Sequence, residues 1–194
     1  MSQRPLLGLV SLGPVDPEIL QHLRQPIADF LSLAVRILPP KPLPAQVYHV
    51  ARDQHHSTQL LEYLLAVDDY QDFSRILGIT AVDLYIPIFT FVFGEAQLDG
   101  KAAIISTFRP RQGPAGTSAP HSIFMTRLIK LSLHELGHTF GLPHCRQDGC
   151  LMGFDSNLEK LDQKNPKYCE YCRIMLDDYY TRNGFDQPLQ RVKV

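Results

Sequence analysis

The string His134-Glu135-Leu136-Gly137-His138 constrains this chain more than any other part of it. Two imidazoles at i and i+4 stand on one face of a helix, so both rings can reach a single ion. Glu135 lies about a third of a turn round, where its carboxylate can reach a water held by that ion. Short strings of this kind also arise harmlessly on surface helices. Here, however, apolar residues surround the helix on nearly every side, among them Phe124, Leu128, Leu131, Leu133 and Leu136. Such a helix is expected to be buried. Two histidines and a glutamate are costly to bury without partners, which favours a metal site over an incidental match.

The continuation strengthens this reading. Gly141 can take positive φ, so the chain can leave the helix and double back sharply. His144 follows His138 by six residues and is placed to supply a third ligand. Three protein ligands leave one corner of a zinc tetrahedron open for water. The complete string, HExxHxxGxxH, is the metzincin signature.

The four cysteines, Cys145, Cys150, Cys169 and Cys172, all lie in the last quarter of the chain. Two close pairs of thiolates suit a closed, tetrahedral structural zinc site. A disulfide set and a redox CxxC at Cys169 and Cys172 are the competing readings. A redox CxxC usually opens a helix within a βαβ unit, and no such unit is evident.

Cys145-x4-Cys150-x-Met152 followed by Cys169-x-x-Cys172, joined to HExxHxxGxxH, closely resembles the archaemetzincin family; the matching stretch runs from His134 to Cys172. The resemblance implies a zinc-dependent metallopeptidase with a metzincin-like (zincin) α/β fold: a twisted mixed sheet, an active-site helix and a small C-terminal lobe stapled by zinc. It implies that His134, His138 and His144 hold the catalytic zinc and that Glu135 is the general base. It implies that Met152 is the Met-turn methionine, an apolar floor beneath the histidines. Cys145, Cys150, Cys169 and Cys172 would hold a second, structural zinc, giving two ions per chain. Several metzincins are similar to one another in placing a tyrosine two residues after that methionine. This sequence has Met152-Gly153-Phe154, so the helper hydroxyl is missing and transition-state stabilisation falls to zinc and other groups.

Along the chain, 6–12 reads as a buried strand. Asp16-Pro17 reads as a helix start, with Pro26 expected to kink or shorten that helix. Residues 34–38 and 46–50 read as strands, with the stiff loop PPKPLP between them. Ser57 or Thr58 is expected to cap the next helix. Segments 82–87 and 89–93 are strand-like. Residues 95–98 and 102–107 read as a hairpin at one edge of the sheet, with 102–107 as the edge to which a peptide substrate could add. A long helix is expected over about 119–140 and a last one over roughly 166–182. One domain, 1–194, is expected, divided into an N-terminal subdomain (1–141) and a C-terminal one (142–194).

The formal net charge of −1 gives no basic excess to hold a nucleic-acid backbone, and no polybasic cluster suggests anionic lipid. The densest apolar stretch, 84–93, is far below the ~18 residues a transmembrane helix needs. A cytoplasmic monomer acting on a peptide or protein is therefore expected. Two other functions share these residues: a peptide-binding module of metzincin fold with a closed site, and an aminopeptidase-like or small-amide hydrolase. His22, His49, His55, His56 and His121 read as surface or satisfied polar residues, not ligands. Arg146, Lys167 and Arg173 flank the cysteines and can offset the charge of a four-thiolate site.

His144 and Cys145 are adjacent, and neighbouring side chains of an extended segment point opposite ways. The two zinc ions should then lie roughly 8–13 Å apart, from Cα spacing plus ligand reach. Anomalous scattering at the zinc edge measures this separation, and two peaks much further apart would refute the ligand assignment.

Overall fold

The computed structural model of the protein describes residues 4–186. The final eight positions of the expected C-terminal subdomain, 187–194, lie outside the described residues.

The main sheet has five strands in the order β2-β1-β5-β8-β7. These are β1 (Leu6–Leu12), β2 (Ala34–Ile37), β5 (Arg75–Thr80), β7 (Gly94–Ala96) and β8 (Ala102–Ser106). All neighbours run parallel except β7, which is antiparallel to β8. Three shorter strands, β3 (Tyr48–His49), β4 (Gln54–His56) and β6 (Leu84–Tyr85), form a second sheet. Helix α2 (Ser57–Leu65) follows β4.

The period-two alternation of strands divides the core into two layers. Leu7, Leu9, Leu77, Ile79, Ala103 and Ile105 face one side, which is covered by α1 (Pro17–Leu31) and α3 (His121–Thr139). Val10, Leu12, Ile76, Ala102 and Ile104 face the other side and pack on Leu60, Leu61 and Leu64 of α2. The C-terminal part contributes α4 (Leu158–Gln163) and α5 (Glu170–Arg182). Leu142, Leu151, Leu161, Leu176 and Tyr180 join the same core as α1 and α3. The Tyr180 hydroxyl donates to the Leu31 carbonyl at 2.5 Å, which ties α5 to the end of α1.

Several elements differ from the sequence expectation. Helix α1 begins as expected, with the Asp16 side chain accepting from the Glu18 N–H, but it continues through Pro26 to Leu31. Its buried stripe extends past the proline to Ile27 and Leu31, so packing outweighs one lost backbone bond. Ser57 and Thr58 do not cap α2; their hydroxyls donate to the carboxylate of Glu95 on β7. Residues 45–47 form a 3₁₀ turn, leaving only Tyr48–His49 as strand. Of the expected strands at 82–87 and 89–93, only Leu84–Tyr85 pairs as one. The hairpin forms, but its outer strand is Gly94–Ala96, and 102–106 lies inside the sheet between β5 and β7. The last helix starts at Glu170, after Cys169 in extended backbone, and not at Pro166.

Among the described residues no helix is long and apolar enough to cross a membrane.

The side chain of Leu128 on α3 is fully buried between α3 and the sheet layer. Leu128→Ala should lower unfolding free energy by about 2–5 kcal/mol; urea melts followed by circular dichroism would register a clearly reduced midpoint.

Candidate active site

Helix α3 carries His134, Glu135 and His138 into the interior, and His134 and Glu135 are buried. The helix stops because Gly141 takes φ +81, a conformation that suits glycine. The Gly141 and Leu142 N–H groups turn back onto the carbonyls of His138 and Gly137. The chain then doubles under the helix and brings His144 to the other two rings. Ring centroids lie 4.7 Å apart for His134 and His138, 4.8 Å for His138 and His144, and 5.4 Å for His134 and His144. One nitrogen from each ring falls within 4.8 Å of the others.

The outer nitrogens are pinned by the same returning chain. His134 Nδ1–H donates to the Leu151 carbonyl at 2.8 Å, and His138 Nδ1–H donates to the Leu142 carbonyl at 2.7 Å. A carbonyl can only accept, so each Nδ1 holds the proton and each Nε2 turns a bare lone pair inward. The two Nε2 atoms are 3.1 Å apart. With no proton between them, two lone pairs at that distance repel, and a cation is what such a pair fits. The edge of a tetrahedral zinc–nitrogen site is about 3.4 Å, close to this separation. Burial and the neighbouring His138 push His134 down to about 3. Burial likewise lowers His138 and His144. All three rings are thus neutral at pH 7, the form in which an imidazole can bind a metal.

Met152 is fully buried beneath α3 at Gly137: a Cβ there would meet Met152 Sδ at 2.6 Å and the Tyr168 hydroxyl at 2.9 Å. Tyr168 donates to the Leu133 carbonyl at 2.6 Å. Phe154 stands above, its ring 5.4 Å from that of His144 and 5.9 Å from that of Phe89.

Glu135 reaches the opposite wall, where Gly94 begins β7. A Cβ on Gly94 would meet the Ile104 carbonyl at 2.6 Å and Glu135 Cγ and Oε1 at 2.8 Å. Burial, with a smaller contribution from Glu95, pushes the Glu135 carboxyl up to about 8. Both carboxylates line one cleft of about 540 Å³ together with the three histidines. Asp155 also lines it and pairs with Lys164 at 2.6 Å.

The four cysteines gather on the far side of the returning chain, their sulfurs within 4.8 Å of one another. Cys145–Cys169 and Cys150–Cys172 are each separated by 3.7 Å, and all four thiols are free. A tetrahedron with zinc–sulfur bonds of ~2.3 Å has edges of about 3.8 Å, so this donor set fits zinc. Backbone N–H groups of Gln147 and Cys169 point at Cys145 and Cys150 sulfurs. Cys169-x-x-Cys172 does open α5, as a redox pair would, but α5 follows α4 with no strand between them.

The remaining histidines do not join either group. His121 meets His22 edge-on at 5.8 Å, at the N-terminal end of α3. His49 and His56 pack on Tyr85, and His55 on Tyr48, all in the small sheet. Glu95, Gly94 and the Asp155–Lys164 pair escaped the sequence reading, because no spacing links them to the zinc motif.

Residues 30–178 match the model of peptidase family M54. The chain belongs to the archaemetzincin family. It is 36% identical to the archaemetzincin of Methanocaldococcus jannaschii over 167 residues, covering 86% of this chain and 90% of that protein. The crystal structure of the Methanopyrus kandleri archaemetzincin superposes with a TM-score of 0.81 at 32% identity, covering 92% of this chain and 97% of that one. The Archaeoglobus fulgidus archaemetzincin, solved in complex with malonate, gives 0.76 at 28% identity, over 87% of this chain and 99% of that one. This archaemetzincin is accordingly a zinc-dependent metallopeptidase with a twisted mixed sheet, and its substrates are peptides or proteins.

Gly94→Ala should force β7 or Glu135 to move. A displacement near 1 Å is enough to lower peptide hydrolysis roughly 100-fold, with the circular dichroism spectrum retained; near-normal turnover in this variant would show that the close approach is not needed.

Proposed function

We propose that this chain hydrolyses peptide bonds with Glu135 as general base, on a centre whose metal is held by His134, His138 and His144. The observation that carries the reading is the pair of Nδ1-pinned imidazoles whose bare Nε2 atoms stand 3.1 Å apart. Zinc bound there supplies Lewis-acid polarisation of a carbonyl and a nucleophilic water near neutral pH. The protein does the rest. Glu135 takes the proton of the attacking water on a carboxylate oxygen and passes it to the leaving amine. Its burial beside Gly94 raises the carboxyl's affinity for a proton, and a divalent ion on the three histidines would return it to the ionised form a base needs. Phe154 offers no hydroxyl, so position 154 itself supplies no donor to the reaction.

The edge strand Gly94–Ala96 is paired only on its β8 side. A peptide adding to its free side would lie along the cleft with its carbonyl toward the histidines. This transfers the substrate edge from 102–107, which is enclosed between β5 and β7. A second zinc on Cys145, Cys150, Cys169 and Cys172 would bind the start of α5 to the chain just after His144, making residues from 142 onward a stapled C-terminal subdomain.

Glu135→Ala should keep the fold and the metal content while lowering turnover by at least about 10²–10⁴-fold. A peptide-library cleavage assay with parallel metal analysis tests this, and undiminished cleavage would rule out Glu135 as the base.

A further inference from the structure

The upper rim of the cleft is held from outside it. Residues 86–93 link β6 to β7 and contain no helix or named strand. Phe89, Thr90 and Phe91 all line the cleft, and Phe89 and Thr90 are exposed. Such a segment cannot fix itself by burial, and its carbonyls need donors.

A chain of four side chains supplies them. Arg52 Nη2 donates to the Phe89 carbonyl at 2.9 Å and to the Thr90 carbonyl at 3.0 Å. Gln54 Nε2 donates to the same Thr90 carbonyl at 3.0 Å. Arg52 Nε donates to Gln54 Oε1 at 2.9 Å, and Gln54 Nε2 donates to Asp83 Oδ2 at 2.9 Å. Asp83 then accepts both Nε and Nη2 of Arg109, each at 2.7 Å. The Arg109 guanidinium lies 3.8 Å from the centre of the Phe91 ring, and that of Arg52 lies 4.3 Å from the centre of the Tyr85 ring. Gln54 and Asp83 are buried, at 6% and 8% exposure, so the inner link of this network is shielded from water, while the Arg52 bonds to the rim are exposed and hold by geometry, with one guanidinium nitrogen donating to two consecutive carbonyls. The network reaches the rim at three consecutive residues, through the Phe89 and Thr90 carbonyls and the Phe91 ring.

Resting on the metallopeptidase reading above, we infer that Arg52 and Arg109 are positioning residues that set substrate specificity. They hold the Phe89 and Phe91 rings as one wall of a subsite for an apolar, aromatic-sized side chain of the peptide. Leu98, Leu131 and Phe154 face the same cleft. Its carboxylates outside the catalytic group are already engaged, Glu95 with Ser57 and Thr58 and Asp155 with Lys164.

The test uses the full chain loaded with zinc and two peptide hydroxamates that differ only in a benzyl or a methyl side chain, titrated by calorimetry. The benzyl compound should bind at least roughly tenfold tighter. Arg52→Gln should cut that preference below about threefold while leaving the methyl compound's affinity and the zinc content unchanged. Arg52→Lys keeps the charge but loses the fork and should restore only part of the preference. Phe89→Ala, at a position 42% exposed, should abolish the preference directly, which keeps the test decisive if Arg52→Gln misfolds. A merely structural role for Arg52 would lower both affinities together and leave their ratio intact. Equal affinities in the parent protein, or an unchanged preference in Phe89→Ala, would overturn this inference and leave the metallopeptidase reading standing. Failure of the zinc-loaded chain to bind either hydroxamate would overturn the metal centre, and this inference with it.

Discussion

Two imidazoles whose outer nitrogens are each locked to a backbone carbonyl have no choice about what they point inward. Leu142 and Leu151 fix the protons on Nδ1 of His138 and His134, so bare lone pairs face each other at 3.1 Å. Such an arrangement is repulsive until a cation shares it, and the remaining architecture serves to hold it in place. Helix α3 sets the two rings one turn apart. The positive φ at Gly141 returns the chain beneath them. The returning chain delivers both carbonyls and the third ring.

The same segment explains why the C-terminal part cannot be separated from the centre. Cys145 follows His144 directly, and its backbone N–H donates to the Met152 carbonyl at 2.9 Å. Met152 fills the space under Gly137, and Tyr168 closes it from the side. A metal at the four sulfurs would tie the start of α5 to this return. The apolar residues of this part join the core of α1 and α3, and a metal staple would add order that burial alone does not. On the opposite wall, Glu95 accepts from two hydroxyls at the start of α2 and so fixes β7, whose glycine admits Glu135.

What could be read from sequence was local. The zinc motif and the cysteine spacing are short-range patterns, and they named every residue that the structure gathers into the two donor groups. Strand β1, the start of α1 and helix α3 were equally legible from periodicity and capping. The central strand β5 was not, because Gly78 interrupts a short run buried on both faces and leaves neither alternation nor length as a signal. The stretch 82–93 looked like strand because it is apolar, yet only Leu84–Tyr85 pairs in a sheet, and the apolar residues after it, Ile86, Phe89, Phe91 and Phe93, line a cleft instead. The hairpin was legible but which of its strands is outermost was not, because 102–106 is enclosed by pairing with β5, the strand that gave no signal. Arg52, Gln54, Asp83 and Arg109 were invisible because their link depends on three segments meeting in space.

Metal analysis combined with zinc-edge X-ray absorption on the full chain and on His134→Gln reads out whether the paired imidazoles hold a metal. The parent should hold two zinc ions in mixed nitrogen and sulfur surroundings. The variant should hold one, in a purely sulfur shell at about 2.3 Å. An unchanged zinc content in His134→Gln, with nitrogen still in the shell, would contradict a metal on those imidazoles.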